Sequence, residues 1–267
     1  LISGKQYVTF GQLNRAVNAI AGLIKQSGIG EGDKVALMLT NIPEFFYSYF
    51  GVLKTGAIVV PLNTSSTPYE LTYLLNNSDS KILITQESQV KKYQDIKDKL
   101  FSCHQVISID SLNQNGELLT GTDGEDSPSA KIDPEDPAVI IYTAGLTGKS
   151  MGAVLTHHNL CSQLDMIQPV FRRMPDDIGL SLIPLFHSFG ATVNMLNVIQ
   201  AGCSTVMMDR LTMDGLFSAI EREKITYIAA VPRLYLGMIF YEKASKYNLS
   251  SLKLCVTGGS AMPPDFI

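Results

Sequence analysis

Apolar positions along this chain fall into two rhythms, solid runs of strand length and stripes at helical spacing. Phe10, Leu13, Val17, Ile20 and Ile24 form the first stripe. Thr9 with Gln12 makes a capping-box pattern ahead of it, and Gly28 is placed to close the helix. Residues 35–39 are a continuous apolar run, the mark of a buried strand. Asn41 is positioned to cap a second helix with Pro43 in its first turn, carrying Phe45, Phe46, Tyr49 and Leu53 to Gly56. A strand follows at 58–62. Pro68 opens a helix through Leu71, Leu74 and Leu75, a strand is expected at 81–84, and a polar helix near 88–100 leads to a strand at 105–109.

From 110 to 137 the pattern breaks. Asn, Gly, Ser, Asp and Glu dominate, with Pro128, Pro134 and Pro137, so a polar connection over 111–137 is expected to join subdomains at 1–110 and 138–267. Strands are expected again at 138–143, 180–185, 204–208, 226–231 and 252–257, with helices between. That alternation predicts an α/β fold of mainly parallel sheets covered by helices on both faces.

Composition narrows the function classes. With 21 basic against 25 acidic residues the formal charge is −4, which argues against a nucleic-acid or anionic-membrane surface. No run approaches the roughly 18 apolar residues that span a bilayer. The four cysteines, Cys103, Cys161, Cys203 and Cys255, form no CxxC pair, so reduced thiols in a cytoplasmic protein are expected and no metal site is indicated. The first residues show neither an initiating Met nor a signal-peptide pattern, and the last stop where a helix begins, so a fragment of a longer enzyme is expected.

Chemistry concentrates in three places. The apolar run 138–141 enters a loop holding Gly145, Gly148 and Gly152, the type of segment that turns backbone N–H groups toward phosphate oxygens. A Walker A loop would need glycine at 143, where Thr143 stands, so an ordinary glycine-rich strand-to-helix turn is the competing reading. His187 follows a Leu-Phe pair; a lone histidine there is read as a satisfied, half-buried imidazole. Gly258-Gly259-Ser260 reads equally as a strand-end turn or as a surface that a planar ligand can approach closely.

The motifs taken together resemble the adenylate-forming superfamily of acyl-CoA synthetases, aryl-CoA ligases, luciferases and peptide-synthetase adenylation domains. That signature reads Tyr-Thr-Ser-Gly-Thr-Thr-Gly-x-Pro-Lys-Gly. Thr143, Gly145, Thr147, Gly148 and Gly152 match it, whereas Ala144, Leu146, Ser150 and Met151 depart. The resemblance extends through 8–13, 52–63, the Pro184-Leu185-Phe186-His187-Ser188-Phe189-Gly190 segment, which is close to the acyl-CoA synthetase version, and 257–262.

The resemblance implies the large N-terminal domain of such an enzyme, two helix-covered sheets packed together, incomplete over 1–267. It implies that Thr143, Ala144, Gly145, Leu146, Thr147, Gly148 and Lys149 hold the ATP phosphates, that His187 borders the acyl carboxylate, and that Gly258, Gly259 and Ser260 lie against the adenine. Phe189, Gly190, Val193, Asn194, Val231 and Pro232 become candidates for an acyl pocket, with a plain core role of equal weight. Hydrogen bonds to charged groups are worth roughly 1.5–3 kcal/mol. Ala144 and Leu146 each lack a hydroxyl and Met151 lacks a cation, so each of these substitutions weakens triphosphate binding by about tenfold or more.

The implied reaction joins ATP and a carboxylic acid, in first place a fatty acid, into an acyl-adenylate with loss of pyrophosphate; coenzyme A then takes the acyl group, with Mg²⁺ neutralising phosphate charge. In the family the Mg²⁺-holding segment, the ribose-binding Asp and the C-terminal lid domain with its catalytic lysine follow later in the chain, so the 267 residues alone are expected not to turn over. The implied partners are the small acid, ATP and coenzyme A, with a homodimer left open. The alternatives are a non-catalytic member binding nucleotide or acyl group, and an adenylation domain serving a carrier protein.

Overall fold

The computed structural model describes residues 1–112, 129–143, 150–208 and 211–266. Two compact units are present. One is Val8–Cys161; the other combines Leu1–Tyr7 with Ser162–Ile267. The chain opens in the latter with two short strands, β1 (Ile2–Ser3) and β2 (Gln6–Tyr7).

The Val8–Cys161 unit then runs α1 (Phe10–Gln26), β3 (Lys34–Met38), α2 (Pro43–Lys54), β4 (Ile58–Pro61), α3 (Pro68–Asn77), β5 (Ser80–Thr85), α4 (Glu87–Gln94), β6 (Gln105–Ser108), α5 (Ile109–Leu112), β7 (Pro137–Thr143) and β8 (Met151–Thr156). The capping box at α1 is formed: Thr9 N–H donates to Gln12 Oε1 at 2.9 Å and Gln12 N–H to Thr9 Oγ1 at 3.2 Å. A second box starts α3, with Thr67 N–H donating to Glu70 Oε2 at 2.7 Å and Glu70 N–H to Thr67 Oγ1 at 3.3 Å. At α2 the N-cap position itself is Ile42, extended and without a side-chain cap bond; Pro43 at the first helical position has no N–H to satisfy, which lowers the need for one.

The sheet order is β6-β5-β3-β4-β7-β8, parallel throughout except for the antiparallel β7–β8 pair. Val35 to Met38 of central β3 are fully buried, as a strand covered on both faces requires. On one face Ala36, Met38, Val60 and Leu83 pack with Leu71, Leu74 and Leu75 of α3.

The other unit contains most of α6 (His157–Phe171), then β9 (Ile178–Ser181), α7 (Ser188–Ala191), a π-helical turn (Thr192–Leu196), α8 (Asn197–Ala201), β10 (Ser204–Met207), α9 (Met213–Glu223), β11 (Tyr227–Ala230), α10 (Pro232–Ile239) and β12 (Leu254–Thr257). Its sheet order is β12-β11-β9-β10-β1-β2, parallel but for β1–β2. Leu180, Val206 and Ile228 pack with Leu216, Phe217, Ile220 and Leu234 on one face. Tyr227 and Ala229 pack with Val193 on the other. Both sheets match the α/β, mainly parallel architecture expected.

The chain divides between 161 and 162, not within 111–137. β7 and β8 stay with the first sheet because Val59 of β4 pairs with Val139 and β8 pairs along the length of β7. Residues 113–128 of the expected connection lie outside the described residues. The strand expected at 180–185 stops at Ser181. Ile183 and Leu185 are buried in a turn, closed by His187 N–H donating to the Pro184 carbonyl at 3.1 Å, and buried turn residues imitate a strand run.

Candidate active site

In the Val8–Cys161 unit, Thr143 stands at the end of β7, exposed and in register with Met151 at the start of β8. Ala144, Gly145, Leu146, Thr147, Gly148 and Lys149 lie outside the described residues. Their flanks are the antiparallel strands β7 and β8, and among the described residues the next helix begins at His157. Met151 is 64% exposed, so its apolar side chain stands in water where the family signature has a cation.

Strand β7 and Ser150, just before β8, are both tied to α3. Tyr142 O–H donates to Asn77 Oδ1 at 2.7 Å, and Tyr73 O–H donates to the Ser150 carbonyl at 2.9 Å. Burial pushes the Tyr142 phenol up to about 12, so it remains a donor at every working pH. Tyr73 and Asn77 sit one helical turn apart, and nothing in their spacing alone announces this role. His157 and His158 open α6.

In the other unit, the strand order places a reversal between β9 and β11. The chain leaves β9 for β10 on one side and later reaches β11 on the other. The crevice at the carboxyl ends of such a pair is where α/β sheets bind ligands. His187 stands in the loop after β9. It is exposed, its ring lies 4.2 Å from that of Phe186, and partial desolvation lowers its pKa below the ordinary 6.5. The imidazole is therefore neutral at pH 7, keeping one N–H donor and one acceptor. The loop folds tightly on itself: a Cβ on Gly190 would stand 2.3 Å from the Pro184 carbonyl oxygen, which only glycine allows.

Gly258 and Gly259 follow β12. A Cβ on Gly258 would meet the Phe189 ring at 2.9 Å; Gly259 has φ +80°, and the Val231 side chain lies beside it. The segments after β9, β11 and β12 thus meet through Phe189, Val231 and Gly258. Ser260 is exposed at their edge. Of the other pocket candidates, Val193 packs on Tyr227 and Ala229, and Asn194 is buried with neither side-chain amide atom partnered. A separate cavity of about 570 Å³, lined by Phe217, Tyr235, Met238, Leu249 and Phe266, is apolar and contains none of the expected site residues. Among the described residues no group of three or more His, Cys, Asp or Glu side chains could hold a metal ion, so they give Mg²⁺ no ligand set. Among them, too, no helix is long and apolar enough to cross a membrane.

Residues 1–267 match the AMP-binding enzyme family. The chain belongs to that family, and the resemblance to adenylate-forming enzymes holds. It is 28% identical to 4-coumarate–CoA ligase 2 of Oryza sativa subsp. japonica over 97% of this chain and 49% of that protein. It is also 28% identical to the long-chain-fatty-acid–CoA ligase of Bacillus subtilis (strain 168), over 96% of this chain and 51% of that protein. The chain thus spans about half the length of these curated relatives. Among solved structures, the anthranilate CoA ligase AuaEII in complex with anthranoyl-AMP superposes with a TM-score of 0.91 at 25% identity, over 99% of this chain and 52% of that one. The inhibitor-bound N-terminal domain of FACL13 from Mycobacterium tuberculosis gives a TM-score of 0.87 at 27% identity, over 97% of this chain and 65% of that one.

Proposed function

We propose that the protein carrying this chain is an acid–thiol ligase that activates a carboxylic acid with ATP and passes the acyl group to coenzyme A. The carrying observation is the convergence of Phe189, Val231 and Gly258 at the strand reversal, with neutral His187 at the N-cap of the short helix that carries Phe189. A carboxylate oxygen attacks the α-phosphorus, pyrophosphate leaves, and the coenzyme A sulfur then takes the acyl carbon as AMP departs. His187 holds an N–H toward the oxygen on which charge collects. Gly258, Gly259 and Ser260 offer a flat backbone surface to the adenine, and Thr143 with residues 144–149 takes the phosphates. The apolar Phe189, Val193 and Val231 suit an acid with an apolar body, a fatty acid first. Spanning about half the length of its relatives, the chain alone is proposed not to turn over.

The test is carboxylate-dependent exchange of labelled pyrophosphate into ATP by the full-length protein across a panel of acids. Exchange with at least one acid is expected, and silence across the panel overturns the proposal. A non-catalytic binding role is the second reading, favoured by the exposed apolar Met151 where a cation is usual. On the catalytic reading, Leu146→Thr with Met151→Lys raises ATP affinity about tenfold or more in the full-length protein. Unchanged affinity, read by calorimetric titration, removes the loop as its cause.

A further inference from the structure

Residues 144–149 start and finish at two points that α3 holds. Thr143 at the end of β7 faces Met151 at the start of β8, and Tyr142 faces Gly152. Tyr73 O–H donates to the Ser150 carbonyl at 2.9 Å, and Tyr142 O–H donates to Asn77 Oδ1 at 2.7 Å. Tyr73 and Asn77 are one helical turn apart, so a single face of α3 makes both ties. Gly152 makes room for the second. A Cβ there would stand 2.8 Å from Ile140 Cγ2 and 3.3 Å from Tyr142 Cζ, so the Tyr142 ring lies over a position of β8 that carries no side chain.

The helix that makes these ties is itself fixed. Leu71, Leu74 and Leu75 are buried in the core, and the half-buried Tyr73 ring packs on the same cluster. At the far end of α3, Asn76 Nδ2 donates to the Lys99 carbonyl at 2.9 Å, and Phe101 N–H donates to Asn76 Oδ1 at 2.9 Å. Ser150 stands where the family signature has proline. A proline ring fixes φ, and serine leaves it free. A hydrogen bond to the backbone carbonyl of residue 150 asks nothing of its side chain, so Tyr73 restrains this chain at the point where the proline ring is missing. An end held before the ligand arrives spares part of the ordering cost of binding.

We propose that Tyr73 is a positioning residue for the triphosphate: its hold on the Ser150 carbonyl replaces the restraint of the signature proline and presents residues 144–149 to the β- and γ-phosphates from a fixed end. The inference rests on the assignment of those residues to the phosphates. Tyr142 does the same at the other end through Asn77, an exposed partner that water can replace, and so to a smaller extent.

Separate equilibrium titrations of the full-length protein with ATP and with AMP test this. Tyr73→Phe keeps the ring and removes the hydroxyl. The dissociation constant for ATP is expected to rise about two- to tenfold, while that for AMP, which has no β- or γ-phosphate, is expected to stay unchanged. Adding Ser150→Pro to Tyr73→Phe is expected to recover most of the loss. Thr67→Ala weakens α3 at its start without touching either tie, and is expected to move neither constant. An ATP constant unmoved by Tyr73→Phe, a loss shared equally by AMP, or no recovery with Ser150→Pro overturns the proposal. Carboxylate-dependent pyrophosphate exchange by the unmutated protein reports on the ligase reading separately. Silence there, with the selective loss of ATP intact, sinks that reading and supports the positioning role in a protein that only binds nucleotide. No ATP binding at all overturns both.

Discussion

Gly258 leaves its side-chain position to the Phe189 ring, so the geometry at this one residue is open to a direct test. Gly258→Val forces branched carbons into a ring already 2.9 Å from the Cβ position. Either the ring or the turn must move, and overpacking of this kind costs about 1–3 kcal/mol. The expected result in the full-length protein is a KM for ATP raised about tenfold or more, partly recovered in Gly258→Val with Phe189→Ala. His157 gives a second test, of pH. It lines a small cavity of about 90 Å³ with Glu31, Lys131 and Asp136, and desolvation lowers its pKa below the ordinary 6.5, Asp136 opposing. Above 6.5 the imidazole is neutral folded and unfolded, so it takes nothing from stability. As pH falls below 6.5 the unfolded chain binds the proton first, and stability drops until the folded pKa is passed. His157→Asn is expected to flatten the fall in Tm between about pH 6.5 and 5.

At the scale of elements, helix starts differ in how much they rest on one side chain. The Thr67 box satisfies donors at the start of α3, and Thr67→Ala is expected to cost about 1 kcal/mol by urea unfolding. The elements legible in the sequence are those that stand in the middle of sheets. β3, β4 and β5 are solid apolar runs because both faces are covered, and α1 shows its stripe because one face is. β8 escapes notice for the opposite reason. Its first four residues, Met151 to Val154, are exposed at a sheet edge, so packing leaves no apolar rhythm to read. Without it the antiparallel pairing of β7 with β8 is disguised as well. Of the candidate site, the glycines at 190 and 258 and His187 are legible through motif likeness. The tie from Tyr73 to the Ser150 carbonyl is not, since it depends on pairing residues far apart in the chain.

Among the described residues each unit has buried apolar residues of its own, and damage within one unit should be felt there. Phe217, 1% exposed, sits in the core of the unit with β9 to β12. Phe217→Ala is expected to cost about 3–5 kcal/mol. Hydrogen exchange is expected to report faster opening of amides in β9, β10 and β11 while those of β3, β4 and β5 keep their protection. Uniform acceleration in both sheets would mean one cooperative body. The boundary between the units is not legible, because the polar stretch after 110 looks like a junction, yet the chain that follows it returns to the sheet it had left.

The parallel pairing of Ile2 with Val206 and Ser3 with Met207 also dictates an order of events on the ribosome. Strand β1 belongs to a sheet whose neighbouring strand β10 is translated about two hundred residues later, roughly ten to forty seconds at ordinary elongation rates. In that interval Val8–Cys161 has everything it needs to fold, whereas the β1–β2 pair must wait for β10. A nascent chain arrested shortly after residue 161 has emerged is therefore expected to carry one finished sheet, with the β1–β2 segment still open to protease.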